Sequence, residues 1–428
     1  LYEIQDLDPA GIGARDLQEC LLLQLQRKKP GAAGMMAAIA AKYHGADVTL
    51  LERNNRVGRK ILATGNGRCN YTNINLSINN YHGRNKKFPY SCLSQFNVED
   101  TINFFERLGI TPVVEDNGKV FPQSYQSSSI LDVLRLELEY LGVEVLTEAY
   151  VIDIKKKKNF IVTLKDGRKL HGDKIILAAG GKAAPNTGSD GNGYLLAQKL
   201  GHTIDDIFPG LVQLKLAGSF FKQVSGVKIL GVAELYEGNK LLRKDKGDIL
   251  FTNYGISGPP ILQLSRTALA LLKAGKKAEL KISIIHHKTA EELYEYLQYR
   301  FSFMPMKTIE IGLIGFINKR LIIPILKEIE IDRNKLIAHI SSAEIRRLCS
   351  ILTDMRFNII GSKSWDDAQV TAGGVRTDEI NNSTMESKLV KGLYFAGEIV
   401  DVDGDCGGFN LQWAWSSGYV AGENAALD

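Results

Sequence analysis

From Gly31 onward the period of the apolar positions changes several times, and each change predicts an element. Met35 to Tyr43 is small and apolar around most of its turns, which predicts a helix packed closely on a sheet. Asp47 to Leu51 follows as a short apolar strand ending on Glu52. Val151 to Ile154, Phe160 to Leu164 and Lys174 to Ala178 read as three strands, separated by Lys155–Lys158 and by the turn pair Asp166-Gly167. The lysine run, placed at a hairpin tip, reads as a solvated face rather than a binding patch. Phe208 to His287 is strand-like and punctuated by glycine. Lys288 to Leu352 is helical, with Leu293 and Leu297, then Leu313, Ile317 and Leu321, recurring at four-residue spacing. The remainder returns to glycine-rich α/β text and closes on a helix from Leu411 to Ala425. Trp413 and Trp415 lie two apart on it, on different faces, and at least one belongs in the core.

Three glycine-bearing segments, far apart in the chain, carry candidate chemistry. Gly31-x-x-Gly34 stands at a strand-to-helix turn, where the backbone can approach a pyrophosphate held at the helix N-terminus. Glu52 follows about 20 positions later, where an acid accepts a ribose hydroxyl. Only the second and third glycines of G-x-G-x-x-G are present, so this segment alone also reads as a packing turn. The second segment is the strand Ile175 to Ala178, which stops on Ala179, Gly180 and Gly181. The third runs from Gly392 through Gly397 and Glu398 to Asp401, and then Gly407-Gly408-Phe409-Asn410-Leu411-Gln412 opens the last helix. Acids here suit ribityl hydroxyls, and free N–H groups at the helix start suit a flavin or its phosphates. Taken together, the three predict one dinucleotide site.

Composition narrows the setting. The 428 residues imply two or three domains; 44% hydrophobic and 24% charged content is ordinary for a globular chain, and a net charge of +5 points to no nucleic-acid surface. Five scattered cysteines with no C-x-x-C pair fit a reducing compartment and supply no dithiol redox centre. Cys69 and Cys406 therefore read as packing residues. His286-His287 lacks a third ligand at metal spacing, so no metal site is expected. No apolar run reaches the roughly 18 residues of a membrane span, and no signal peptide is read. A cytoplasmic protein with no membrane partner is expected.

Beyond these segments, Gly58-Arg59-Lys60, Thr64-Gly65-Asn66-Gly67-Arg68-Cys69-Asn70-Tyr71-Thr72-Asn73, Pro185-x-Thr187-Gly188-Ser189, Val370-Thr371-Ala372-Gly373-Gly374-Val375 and Thr384-Met385-Glu386-Ser387-Lys388 occur in order along the chain. With them, residues from Gly31 to the end resemble the bacterial flavoprotein family of aminoacetone oxidase-like or BaiN-like NAD(P)/FAD-dependent oxidoreductases. The resemblance implies an α/β, two-dinucleotide-binding, Rossmann-like flavin fold split by an inserted β-barrel-like domain and a helical segment. The expected parts are residues 31–205 and 356–428 for the FAD domain and 206–355 for the insert. It also implies roles: Glu52 for the adenosine ribose, Val151 for the adenine, and Arg59, Lys60, Gly67, Arg68, Cys69 and Asn70 along the flavin. Asp401 and Gly408, Phe409, Asn410 and Leu411 would close over the ribityl chain and ring. Asn66 and Asn192 stand where the family has Gly and often Asp; the first change is mild because Asn tolerates positive φ.

Residues 1–30 read differently. Asp8 to Leu25 resembles part of the core-binding region of the bacterial sigma-54 factor, with Leu17, Leu21 and Leu25 on one face of a helix expected from Ala14 to Gln26. The flavoprotein family should have a buried strand here. Gln26-Arg27-Lys28-Lys29-Pro30 is unsuited to one, because a central parallel strand is buried on both faces and proline lacks a ladder donor. A joined reading frame with weakened FAD binding is the expectation, and RNA polymerase contact through residues 1–26 is not.

The leading expectation is an FAD enzyme, with NAD(P)H as electron donor, that reduces a small apolar carbonyl or enone-type substrate; no catalytic proton donor is assigned. The alternatives are a flavin-dependent RNA-modifying enzyme and a defective chimera. Against the RNA alternative stands the absence of basic patches and of a C-terminal extension after the flavin helix.

Overall fold

The computed structural model describes residues 31–55 and 57–427; the sigma-like segment and the helix expected in it lie outside them. The first described helix, Ala32–Tyr43, buries nine residues spread around its circumference. A helix apolar on all sides must be enclosed, and its small side chains let neighbours come close. The closing helix, Phe409–Leu427, is its main partner. Thr49–Leu51 pairs in parallel with Glu144–Leu146, and Ile175–Leu177 pairs in parallel with Leu393–Phe395.

The chain divides into two compact units: residues through Phe208 together with those from Val370, and Pro209–Gln369. In the first unit, Val151–Lys156, Phe160–Leu164 and Lys169–Gly172 form an antiparallel sheet. Its third strand, Lys169–Gly172, was not read from the sequence, while the strand expected from Lys174 to Ala178 is Ile175–Leu177 of the parallel pair. Lys155 to Lys158 are exposed at the hairpin tip.

In the second unit six strands close a barrel in the order Leu214–Leu216, Gly255–Ser257, Lys240–Thr252, Lys228–Glu237, Glu279–Ser283 and Met355–Ser362. Closure removes the free edges of the sheet. The boundary expected at residue 356 is therefore corrected: Met355–Ser362 pairs with both Glu279–Ser283 and Leu214–Leu216, so the inserted unit runs to Gln369. One helix was missed in the strand-like text, Pro259–Lys273, which begins with proline just after Gly258. Leu293, Leu297, Leu313 and Leu321 are fully buried in the helical segment. Among the described residues no helix is long and apolar enough to cross a membrane.

Candidate functional site

The site begins at the first helix. Gly31 caps it with extended backbone (φ −77°, ψ 152°) and has no side chain to offer the first turn, which carries no acid. The N–H groups of that turn carry the helix's positive end. Gly34 lies against Ala178 and Leu50, where a Cβ would find ordinary contact at 3.6 and 3.8 Å. Steric need falls instead on Gly397, at φ +75°, where a Cβ would stand 2.7 Å from that of Ala33. The first and third glycine segments meet there.

Glu52 follows the strand Thr49–Leu51 and is 6% exposed. Its Oε1 accepts from the backbone N and side-chain Nδ2 of Asn54, at 2.7 and 2.6 Å. Burial pushes its carboxyl up to about 7 despite these donors.

A second node joins residues the sequence left unconnected. Lys60, on the short helix Arg59–Ala63, forms an ion pair with Glu398 Oε2. Glu398 Oε1 accepts from Thr371 N at 2.7 Å. Thr371 Oγ1 in turn accepts from the backbone N of Lys182 and Ala183, at 2.7 and 3.0 Å. This fixes the loop that follows Ala179 and Gly180. Lys60 and Glu398, expected from the sequence as cofactor contacts, are thus also paired with each other. Thr371 was quoted only as part of a motif. A threonine inside apolar strand text leaves no periodic signal of a polar role.

The glycine-rich turn bends as its sequence allows. Gly65, Asn66, Gly67 and Cys69 all have positive φ, Asn66 at 56°, which accounts for asparagine at that position. Cys69 is fully buried, and burial pushes its thiol up to about 12. Arg68 turns outward, bonded to Glu115 at 2.9 Å, with its guanidinium 4.4 Å over the ring of Phe121. Asn70 is buried against Gly408, whose Cβ would come within 2.5 Å of the Thr72 carbonyl oxygen and 3.0 Å of Asn70 Oδ1. Only glycine permits this approach between the turn and the start of the closing helix.

The opening of that helix is held from several directions. Tyr81 donates to the Phe409 carbonyl at 3.0 Å, and the Asn410 side chain binds both N and O of Gly404 at 2.8 Å. Leu411 packs at the edge of the core. Gln412, fully buried, accepts from Thr72 and donates to Thr101 Oγ1 and Ser416 Oγ. Both tryptophans are buried, with Trp413 donating to the Gly397 carbonyl and Trp415 to that of Tyr71. Asp401 is buried and accepts from Arg84 N at 2.7 Å. Val151 lies at a strand start, its carbonyl bonded by Asn192 Nδ2 at 2.8 Å. An amide donates where a carboxylate could not, which gives Asn192 a structural role.

The family described as HI0933-like protein Rossmann domain matches residues 30–424. The chain is similar to a 3-dehydro-bile acid delta(4,6)-reductase of Clostridium scindens, 38% identical over 398 residues, covering 92% of this chain and 97% of the relative. It is also similar to a ribosomal RNA dihydrouridine synthase of Haemophilus influenzae, 29% identical over 397 residues, covering 91% and 95%. A stretch of 27 residues is 74% identical to the RNA polymerase sigma-54 factor of Bacillus subtilis, covering 6% of each chain.

Proposed function

The chain belongs to the HI0933-like Rossmann family and is an oxidoreductase of the FAD-binding kind; from that premise we propose that it uses NAD(P)H to reduce a carbon–carbon double bond conjugated to a carbonyl in a small apolar substrate. One observation carries the cofactor assignment: three separate glycine segments converge around a helix N-terminus capped by glycine, with a buried acid at the end of the neighbouring strand.

The residues fit FAD. Gly31 to Gly34 leave helix N–H groups for a pyrophosphate. Glu52 offers a buried carboxyl to a ribose hydroxyl, and a carboxylate there would be strengthened by that donor. Asp401, Gly408, Phe409, Asn410 and Leu411 border the flavin side, with Val151 at the adenine end. Bound there, FAD supplies two-electron hydride chemistry. The Thr371–Glu398–Lys60 node holds the loop after Gly180 in place, while Gln412 and the two tryptophans fix the helix that borders the ring.

The names of both relatives, a delta(4,6)-reductase and a dihydrouridine synthase, denote the addition of hydrogen to an unsaturated compound. That common chemistry supports the reaction type, and the greater identity to the bile acid reductase supports a small apolar substrate. An RNA substrate is the second reading. The argument against it from a missing C-terminal extension falls, because the dihydrouridine synthase matches over 95% of its own length.

The test is a visible spectrum of the purified protein, chromatography of its heat-released flavin, and bleaching by NADH or NADPH. Turnover would then be compared on a 4-ene-3-ketosteroid and on unmodified ribosomal RNA. FMN in place of FAD sinks the cofactor assignment. Dihydrouridine formation with an inert steroid transfers the function to RNA.

A further inference from the structure

Two polar side chains just after the glycine-rich turn are bonded to the closing helix and to the loop before it. Thr72 Oγ1 donates to Gln412 Oε1 at 2.5 Å, and Asn73 Nδ2 donates to the Gly407 carbonyl at 2.8 Å. Asn70 differs. It is 8% exposed, yet its Oδ1 is buried with no hydrogen-bond partner among the described residues. Gly65, at φ +57°, curls the turn back so closely that a Cβ on it would stand 2.8 Å from Asn70 N. On the other side, a Cβ on Gly408 would stand 3.0 Å from Asn70 Oδ1. Glycine at both positions lets the amide lie against the start of the helix Phe409–Leu427.

That helix start supplies donors. Its first turn carries no acid, and Gln412 N is bonded to the Gly408 carbonyl at 2.9 Å. The N–H groups of Phe409, Asn410 and Leu411 lie ahead of that bond, where a helix has no acceptor of its own for them. An orphaned acceptor is thus set beside a row of donors. Leaving a buried oxygen without a donor costs its desolvation, a cost that a ligand N–H would remove.

We propose that Asn70 Oδ1 accepts from the imide N–H of the isoalloxazine pyrimidine ring, with the first-turn N–H groups of the closing helix meeting an adjacent ring carbonyl. The contact presupposes the FAD reading above and adds to it the edge of the ring that this chain recognises. Chemistry selects that edge. A phosphate diester offers no donor to an amide oxygen, and a ribityl hydroxyl has no carbonyl beside it. Ring N5 of the oxidised flavin is an acceptor and would repel Oδ1. An imide places one N–H between two carbonyls, which matches an acceptor set against backbone donors.

Fluorescence titration of the flavin-free full chain with FAD, and with FAD methylated at N3, is the test. The parent should bind FAD about tenfold more tightly than the methylated cofactor, the effect of leaving one buried acceptor unmet. Asn70→Ala removes the acceptor and leaves room for the methyl group, so its two affinities should agree within about twofold. The unfolding temperature of flavin-free Asn70→Ala should match or exceed the parent's, because the oxygen it lacks has no partner in the folded chain. Equal affinity of the parent for both cofactors overturns the proposal while leaving FAD in place, and so does a methylation penalty that persists in Asn70→Ala. A clear fall in flavin-free unfolding temperature also overturns it, assigning the amide to the fold. A parent that binds neither cofactor removes the flavin reading, and this contact with it.

Discussion

Gly418 of the closing helix rests on Ala33 of the first helix, and a Cβ on Gly418 would stand 2.6 Å from the Ala33 carbonyl oxygen. One turn on, Gly422 makes the same kind of approach to Ala37. Small residues at four-residue spacing thus set the separation of the two helices that frame the cofactor region. Gly418→Ala should destabilise the protein by about 1–3 kcal/mol through overpacking. Denaturant unfolding of variant and parent at one flavin occupancy measures this, and an unchanged midpoint refutes the packing account.

Glu52 links stability to pH. Its folded value is raised from 4.5 to about 7, so the folded ligand-free protein holds this proton more tightly than the unfolded chain does. The contribution is fully present below about pH 4.5 and is lost as pH rises through 7, by as much as about 3 kcal/mol. Glu52→Gln should flatten the profile of the flavin-free protein between those values. FAD retention should run the opposite way, tightening as pH rises through 7, because a ribose hydroxyl donates to the carboxylate. Calorimetric unfolding and flavin dissociation, each measured from pH 5 to 8, would separate the two trends.

The Glu398 node predicts a graded series. Glu398→Gln keeps an oxygen for Thr371 N but turns an amide nitrogen toward the Lys60 ammonium and should cost an intermediate amount, while Glu398→Ala leaves both that N–H and the ammonium without an acceptor. A loss of about 1–3 kcal/mol is expected for the alanine variant, with weaker flavin retention. Equal behaviour of the two variants in thermal unfolding would remove the node from the account.

Cys69→Ser should leave turnover almost unchanged, since a thiol pushed up to about 12 forms negligible thiolate at neutral pH. In the native protein iodoacetamide should label Cys406, which is partly exposed, before Cys69, Cys92 and Cys349, which are buried. Mass spectrometry of timed samples gives the order. Rapid labelling of Cys69, or loss of turnover with flavin retained, would make that thiol catalytic.

Replacing residues 1–30 by an apolar strand ending in Gly-x-Gly should raise flavin occupancy, because the charged run before Gly31 is unsuited to a buried strand. The ratio of flavin to protein absorbance reads the result, and a parent already saturated with flavin contradicts the expectation.

Much of this protein was legible along the chain. The helix after Gly31, the strand before Glu52, the strand-rich text of the insert and the buried leucines at four-residue spacing follow from local periodicity, which records the face each residue must bury, while the barrel-like form of the insert was implied by the family resemblance. The glycine turns were readable because few other residues reach their backbone angles, and asparagine at position 66 obeyed the same rule. The outcome differed where partners are remote. Met355–Ser362 alternates like any edge of the glycine-rich text, and only pairing with strands more than 70 residues earlier assigned it to the barrel. Ile175–Leu177 carried no mark of which sheet it would join. The ion pair of Lys60 with Glu398, 338 positions apart, and the hydrogen bonds of Thr371 exist because folding excludes water around groups that must then satisfy one another. Sequence sets what each segment can bury; tertiary structure decides which polar groups are left to meet.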